Sequence, residues 1–415
     1  MAKTRKQSLR QRLALFFAIF GPGFITGSVD NDVGGITTYS VAGATYGYQL
    51  LWTLIPAAVV LFVVQEMNAR MGVVTGKGLA DLIRENAGVR TTFFIFIFLL
   101  GTDIMNTTTE FAGVAGSMQI FGVSKYISVP IAALLVWLLI VKGTYKSAEK
   151  VFIVFGLCLF VYVISAILAK PDWTAVGKAI VHPSMNLDSG GISMVIGLIG
   201  TTIAPWMQFY MQSSVIEKGI KLKDYKYTIL DVLTGVIATI VVAFFIMLAC
   251  ASTLYVNGHG TVINDASDAA RALEPLAGPL ASQVFGFGLL VAAVFSAVIL
   301  PVATAFYVCE AFGFEAGIDK KWEDAPQFYW LYTIILILSA GIILLPNAPL
   351  ISISLWSQRI NGILLPVVLI CMMLIINKKE VMGKHTNTLF QNIIGWATIA
   401  VLVVLSLLLV ISSAT

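Results

Sequence analysis

Two aspartates in the first apolar segment, residues 13–41, are the side chains best placed to bind a cation. Asp30 and Asp32 stand between a Gly-Pro-Gly motif at residues 21–23 and a glycine pair at 34–35. Proline removes a backbone donor and paired glycines unwind easily, so this segment is predicted to be broken near its middle. Carboxylates and backbone carbonyls are the ligands that hard divalent cations prefer. The pattern predicts a cation site anchored by Asp32, while Asp30 is expected to face a vestibule or cap the break.

A second helix-breaking motif lies in the sixth apolar segment, residues 190–215. Residues 200–206 read Gly-Thr-Thr-Ile-Ala-Pro-Trp. Unwound backbone inside a membrane is tolerated only where it lines a cavity or meets a ligand, because lipid cannot satisfy its carbonyls. Two breaks in register, one beside an intramembrane carboxylate, favour a binding site between them. Two ordinary kinks, with Asp32 bonded to the unwound backbone, are the alternative.

Polar side chains in the third apolar segment, residues 93–121, add candidates for an ion path. Asp103, Asn106 and Glu110 recur at spacings of three and four, so they share one helical face that must point into the bundle. This stripe either lines the path or forms a structural network between helices. In a later apolar run, Asn361 is expected to point at the same site. No histidine lies in an apolar segment and no nucleophile has a base at a catalytic spacing, so an enzyme is not expected.

These residues are carried by membrane-spanning helices. Hydrophobic residues make up 58% of the 415 residues and charged residues 12%, a balance that could not cover a soluble domain of this length. Apolar runs of about 20 residues match the thickness of the hydrocarbon core. The predicted spans are 13–41, 48–70, 93–121, 127–144, 149–169, 190–215, 227–255, 284–315, 327–345, 349–377 and 388–412.

The distribution of positive charge predicts the orientation of the spans. Of the 26 lysines and arginines, 21 fall in residues 1–12 or in and beside every second loop, and four fall on the opposite side. Because cytoplasmic loops carry the excess of Lys and Arg, residues 1–12 are predicted to be cytoplasmic and the C-terminus external.

The two broken segments divide the chain into two halves of five spans. Residues 13–169 form the first half and residues 190–377 the second, and each half begins with its broken segment. An odd number of spans inverts the second half relative to the first. Inverted five-helix repeats with discontinuous first helices are typical of the LeuT-type transporter fold. Residues 388–412 are then an eleventh helix of an all-α integral membrane protein.

The sequence resembles the NRAMP divalent-metal transporters. The resemblance rests on Gly-Pro-Gly-Phe at residues 21–24, Asp-Val-Gly-Gly at 32–35 and Tyr-Gly-Tyr-Gln-Leu-Leu-Trp at 46–52. The stretch Thr-Glu-Phe-Ala-Gly-Val-Ala at 109–115 resembles the third helix of that family, and the number and order of spans agree over the whole chain. The resemblance implies transport of a divalent metal ion across a lipid bilayer, with no cofactor and no nucleic-acid partner.

Two departures from the family motifs change the ion that the resemblance implies. The first-helix motif Asp-Pro-Gly-Asn is here Asp-Val-Gly-Gly, so Gly35 replaces an oxygen ligand. The sixth-helix motif Met-Pro-His is here Ala-Pro-Trp, so Ala204 removes the thioether that favours transition metals. A widened site with one carboxylate suits Mg²⁺, which keeps several of its waters. The combination is similar to the NRAMP-related magnesium transporters.

The resemblance also implies a ligand set and an ion path. The expected metal site comprises Asp32, Gly34, Gly35, Ile203, Ala204 and Gln208. The expected path comprises Asp30, Asp103, Asn106, Glu110, Trp206 and Asn361. Proton coupling is not expected, because Trp206 replaces the motif histidine, Thr107 aligns with a family aspartate and residues 327–345 lack the family's arginine.

The resulting expectation is a monomeric transporter of the bacterial cytoplasmic membrane that takes up Mg²⁺, and also Mn²⁺, by uncoupled alternating access. The nearest alternative is a proton-coupled Mn²⁺ or Fe²⁺ transporter with an unusual site. A sodium-coupled transporter of organic solutes fits the architecture but gives Asp32 no role. A channel with the same lining differs from a transporter only in rate and saturation.

Overall fold

Long apolar helices run through nearly all of the described chain. The computed structural model describes residues 18–184, 188–256, 259–260, 263, 268–270, 278–346 and 350–414. Within those residues, nine helical stretches are long and apolar enough to span a bilayer. The shorter helix Lys125–Val141 and a broken helix over residues 22–46 bring the number of spans to the predicted eleven.

The spans keep the predicted order and are called first to eleventh along the chain. Their helices are Pro22–Val29 with Val33–Tyr46, Leu54–Thr75, Val89–Ile120, Lys125–Val141, Tyr145–Cys158 with Val161–Leu168, Ser189–Thr202 with Pro205–Glu217, Tyr225–Leu254, Pro279–Phe312, Pro326–Leu344, Leu350–Ile376 and Leu389–Ala414. The connections carry the short helices Leu51–Thr53, Leu79–Ala87, Trp173–Val181, Leu222–Asp224 and Lys379–Met382, and the paired strands Tyr255–Val256 and His259–Gly260.

Several boundaries differ from the expectation: the second span is helical over Leu54–Thr75 rather than 48–70, and the eighth begins at Pro279 rather than 284. The third span begins at Val89 rather than 93, because Gly88 ends the preceding short helix at φ 82° and the new helix starts at once. The fifth span is interrupted by a turn at residues 159–160. Neither residue of that turn is a proline or glycine, so the apolar pattern alone could not show the interruption.

The connecting loops lie at two opposite ends, as the alternation of spans requires. One end, here called the inner end, joins the segments predicted to be cytoplasmic. Its hydrogen bonds run from Lys218 to the Phe20 carbonyl, Ile318 N–H to Glu217, Tyr145 N–H to Asp319, Lys378 to Asn86, and Arg70 to the carbonyls of His385 and Thr386. The outer end joins the remaining loops, through Tyr48 with Ser252, Trp52 with the Ser184 carbonyl and Lys125 with the Ile343 carbonyl.

The inner half of the first span, Pro22–Val29, packs backbone to backbone against the seventh span. A Cβ on Gly27 would lie 2.6 Å from the Gly235 carbonyl oxygen, and one on Gly235 would lie 2.1 Å from the Gly23 carbonyl oxygen. The Thr239 hydroxyl donates a hydrogen bond to the Gly27 carbonyl. Small residues permit this close approach, which gives membrane helices most of their packing energy.

Asp231 of the seventh span caps the start of that inner half. Its carboxylate accepts hydrogen bonds from the N–H groups of Gly21 at 3.1 Å, Gly23 at 2.7 Å and Phe24 at 3.1 Å. The first N–H groups of a helix have no partner within the helix, and the helix dipole favours a negative charge beside them. The cap and the glycine contact therefore join this half of the first span to the seventh span.

Replacing Asp231 by alanine should lower the thermal stability of the purified protein in detergent. The substitution leaves buried N–H groups unsatisfied, each at a cost of about 1–3 kcal/mol. Thermal unfolding followed by intrinsic fluorescence measures the effect. Asp324→Ala, at an exposed loop position, is the matched control. Equal melting temperatures for the two variants would show that the cap contributes nothing.

Candidate functional site

Asp32 closes the break in the first span. It is the N-cap of the outer half, Val33–Tyr46, with an extended backbone at φ −71° and ψ 177°. Its Oδ1 accepts the Gly35 N–H at 2.6 Å, and the residue is 5% exposed. The carboxylate is thus held at a helix N-terminus, where the dipole favours negative charge.

Glu110 of the third span reaches the same helix start. Its Oε2 accepts the Val33 N–H at 3.2 Å, while its Oε1 is buried with no hydrogen-bond partner. The third span therefore brings a second carboxyl group to the helix start that Asp32 caps. A cation placed between the two groups would be attracted by both.

The missing side chain at residue 35 leaves a space lined by oxygen atoms. A Cβ on Gly35 would lie 2.8 Å from the Asp30 carbonyl oxygen, 3.1 Å from Thr201 Oγ1 and 3.3 Å from Asp32 Oδ1. The two aspartates belong to the first break, and Thr201 lies at the end of the helix that leads to the sixth-span break. Both broken spans therefore contribute oxygen atoms, the type that hard cations prefer, to one place.

Gln358 of the tenth span lies against the neighbouring glycine. A Cβ on Gly34 would lie only 1.9 Å from Gln358 Nε2. A close helix contact positions this side chain, because a Cβ on Gly200 of the sixth span would lie 2.9 Å from the Gly362 Cα, one turn after Gln358. Gln358 was not among the predicted ligands, yet its amide group lies beside Asp32.

The sixth span breaks at Ile203 and Ala204, which are both buried. Gln208 Nε2 donates to the Ala204 carbonyl at 3.0 Å, and Gln208 Oε1 accepts from Asn68 at 2.6 Å and from Gln65 at 3.3 Å. The Ala204 carbonyl and Gln208, two of the expected ligands, are thus engaged inside the protein. A cation could use them only if these bonds were exchanged.

The polar stripe of the third span faces the interior, but its members have different partners. Asp103 Oδ2 accepts hydrogen bonds from Thr304 and Tyr307, both at 3.0 Å. Asp103 Oδ1 accepts from Asn106 at 3.1 Å, and Asn106 Oδ1 accepts from Asn361 at 3.3 Å. This chain of bonds links the third, eighth and tenth spans, whereas Glu110 is the stripe residue that contacts the first break.

The two remaining predicted path residues carry polar atoms without partners. Trp206 directly follows the sixth-span break, is 1% exposed and packs on Tyr210, and its Nε1 is buried with no hydrogen bond. Asp30 ends the inner half of the first span, and neither of its carboxylate oxygens has a partner among the side chains and backbone groups that the structure describes. Further out, the Tyr39 hydroxyl and Thr202 Oγ1 are 2.8 Å apart and join the outer halves of the two broken spans.

The site is built from oxygen and includes the three buried carboxyl groups of Asp30, Asp32 and Glu110. Among the described side chains, which do not include that of Arg359, no lysine or arginine forms an ion pair with Asp30, Asp32 or Glu110. A carboxylate at mid-membrane costs at least about 2.5 kcal/mol, so this arrangement calls for a cation. No group of three His, Cys, Asp or Glu residues in the described chain could hold a metal unaided. Carbonyls, amides and water would complete the coordination.

Several residues that hold or line the candidate site were not identified in the sequence analysis. Asp231 could have been identified, because it is the one acidic residue within the seventh apolar run and acidic residues inside the membrane usually have a structural or functional partner. Thr201 lies inside the predicted break motif but was not singled out. Gln358 gave only a weak signal, since a glutamine in an apolar run shows neither its direction nor its neighbours.

Comparison with known proteins supports the same architecture. A family model described as natural resistance-associated macrophage protein-like, Nramp, matches residues 23–412. The divalent metal cation transporter MntH of Yersinia pestis is 27% identical over 423 residues, which cover 99% of this chain and 98% of that protein. A mutant of the manganese transporter of Eremococcus coleocola has a TM-score of 0.77 at 19% identity, covering 99% of this chain and 89% of the other. The structure of MhsT in complex with L-phenylalanine has a TM-score of 0.58 at 14% identity, covering 98% of this chain and 99% of the other.

Replacing Gly34 by alanine should weaken cation binding about tenfold, because the new Cβ displaces the Gln358 amide and disturbs the ligands beside it. Titration calorimetry with Mn²⁺ on purified protein measures the affinity. Gly341→Ala is the control, since a Cβ there has nothing within 4 Å. Unchanged affinity in Gly34→Ala would exclude Gln358 and this side of the break from the site.

Proposed function

The chain belongs to the Nramp family, and on that premise we propose that it carries divalent metal cations through the space between its two breaks. Mg²⁺ is the preferred ion and Mn²⁺ is also accepted. The observation that carries this proposal is the oxygen lining beside Gly35, combined with Ala204 at the position where the family motif has methionine. A site without a thioether has no preference for soft transition metals.

The proposed ligand set starts from Asp32 as the charged anchor. The Asp30 carbonyl and Thr201 Oγ1 lie around the same space. Gln358, whose amide nitrogen lies against Gly34, would have to turn its amide oxygen towards the ion to add a neutral ligand. In this proposal, the backbone of Gly34, Gly35 and Ile203 lines the rest of the ion site. The Ala204 carbonyl and Gln208 join only if the bond between them and the bonds to Asn68 and Gln65 rearrange.

We propose that the bound ion keeps part of its hydration shell. Mg²⁺ dehydrates reluctantly and is usually bound through one or two carboxylates with several waters retained. Glycine at position 35 and alanine at position 204 offer no side-chain ligand, so water would take those coordination positions. Charge and size of the hydrated ion would then determine selectivity, and Mn²⁺ would pass as well.

We propose that the ion moves without protons. Trp206 stands where the family motif has histidine, and an indole does not take up a proton in the physiological range. The ninth span carries no arginine where the family has one. An inside-negative potential alone contributes about 2.3 kcal/mol per charge per 100 mV, which is enough to drive uptake of a divalent ion.

The proposed cycle is alternating access in the bacterial cytoplasmic membrane, with the inner end in the cytoplasm. Separation of the outer halves, now joined by Tyr39 and Thr202, would open the site outward. Movement of the inner halves, which are held by the Asp231 cap and by Lys218 bonded to Phe20 and Glu149, would open it inward. One chain contains both breaks, so a monomer suffices.

A proton-coupled manganese transporter is the second candidate. Similar proteins are named divalent metal cation transporter and manganese transporter, and Glu110 keeps a carboxylate oxygen without a partner beside the site. That oxygen is a possible proton acceptor. The two functions differ in the pH change that accompanies metal entry.

Saturable Mg²⁺ entry into proteoliposomes, without acidification of the lumen, is the expected result for the wild-type protein. An internal Mg²⁺ dye and an internal pH dye report both quantities in the same vesicles. Asp32→Ala should abolish entry because it removes the charged anchor, while Asp324→Ala, an exposed position, should not. Absence of Mg²⁺ entry, with Mn²⁺ entry that acidifies the lumen, would overturn the magnesium proposal in favour of the second candidate.

Replacing Ala204 by methionine should shift selectivity towards Mn²⁺. The thioether supplies a soft ligand, which Mg²⁺ does not use. The measurement is the ratio of Mn²⁺ to Mg²⁺ influx in competition. Ala204→Leu is the matched control, because leucine has similar volume and no sulfur. An equal change of the ratio in both variants would attribute the effect to volume and contradict the role of the missing sulfur.

A further inference from the structure

Asp30 has surroundings that a single site at Asp32 does not explain. We propose that its carboxylate is a second cation-binding position, which receives the divalent ion from Asp32 on the way to the inner end. The identity of the ion rests on the proposed function. The case for a cation at Asp30 rests on the burial, charge and position of the residue itself.

The Asp30 carboxylate is buried without a hydrogen bond. The residue is 1% exposed, and neither side-chain oxygen has a partner among the described residues. By contrast, Asp32 accepts the Gly35 N–H and Glu110 accepts the Val33 N–H. A buried carboxylate loses its hydration, and without bonds or a counter-ion that loss is uncompensated.

The helix dipole acts with opposite sign on the two aspartates. Asp32 caps the N-terminus of the outer half, where the dipole is positive. Asp30 is the C-cap of the inner half, with helical backbone at φ −59° and ψ −26°, where the dipole is negative. Asp32 also repels the Asp30 carboxylate. Each of these terms favours a positive occupant at Asp30.

Asp30 lies on the face of the inner half that packs against the sixth span. Because the helical backbone extends through Asp30, the residue shares a face with Thr26, four positions earlier. Thr26 Oγ1 lies 3.7 Å from the Met211 sulfur, on the inner half of the sixth span. The two inner halves run antiparallel, so Asp30 is level with Met207, one turn nearer the break.

An ion that leaves Asp32 towards the inner end therefore meets Asp30 next. The Asp30 carbonyl already lines the space at Gly35, so the residue would serve the first position with its backbone and the second with its side chain. An ion passes through a protein only if it binds strongly enough to enter and weakly enough, or at several sites in turn, to leave. Two carboxylates in succession would replace one tight binding site by two weaker sites.

The test compares Asp30→Asn, Asp30→Glu and Asp32→Asn in the full chain. Influx into proteoliposomes is measured with whichever of Mg²⁺ and Mn²⁺ the wild type carries, and Mn²⁺ affinity is measured by calorimetry. Asp30→Asn should keep affinity within about threefold of wild type but lose about tenfold in maximal influx. Asp30→Glu keeps the charge and should retain most of the influx, and Asp32→Asn should lose both binding and influx.

Two outcomes would overturn the proposal. Wild-type influx in Asp30→Asn would show that the carboxylate takes no part in transport. Loss of affinity in Asp30→Asn equal to that in Asp32→Asn would make Asp30 a member of the first position rather than a second one. Failure of the wild type to move either ion would instead refute the proposed function.

Anomalous diffraction from wild-type crystals grown with Mn²⁺ tests the same point without a variant. A Mn²⁺ peak beside the Asp30 carboxylate, separate from a peak at Asp32, is the expected result. Occupancy at Asp32 alone, at a concentration that saturates influx, would contradict the second position.

Discussion

The structure depends on one constraint: polar groups at a helix break must be satisfied where no lipid can satisfy them. The two helix starts of the first span are satisfied separately. Asp231 takes the N–H groups at the start of the inner half, at the inner end of the span, and Asp32 and Glu110 take those at the start of the outer half, beside the break. The first span is therefore held to the seventh span at its inner end and to the third span at the break. Of Asp30, Asp32 and Glu110, Asp30 alone has no hydrogen-bond partner for either carboxylate oxygen among the described residues.

The same constraint separates structural polar groups from those free to meet an ion. Gln208 donates a hydrogen bond to the Ala204 carbonyl and accepts hydrogen bonds from Asn68 and Gln65 of the second span. On the side that faces the second span, the polar groups of the sixth-span break are therefore already bonded within the protein. On the other side, Gly35 lies close to Thr201, and Gly34 lies close to Gln358. In the proposed function, selectivity arises on this second side, where glycine at position 35 and alanine at position 204 supply neither a side-chain oxygen nor a sulfur atom.

The sequence was informative about class, span order and the two breaks, because each depends on local residue chemistry. Pro22 and Pro205 each stand at the first position of a helix, and Gly34 and Gly35 lie in the first turn of the helix after the first break. Alternating loop charge follows from topology. Contacts between segments that are distant in the sequence could not be predicted from it. The position of Gln358 depends on Gly200 meeting Gly362, and the engagement of Gln208 depends on Asn68. Asp231 was visible as a lone acid in an apolar run, but its role required knowing which helix start lay beside it.

The backbone contact between Gly23, Gly27 and Gly235 also restricts how this sequence can change over evolutionary time. Main-chain atoms make the contact on both sides, so no smaller residue on one helix can compensate for a larger residue on the other. A single substitution at any one of these glycines is therefore expected to disrupt the contact. A lineage that leaves this arrangement has to move a whole helix, and the Asp231 cap would have to be rebuilt in the same step. We expect such a contact to tolerate fewer single substitutions than the candidate ion site, where a side chain can change without moving the helices.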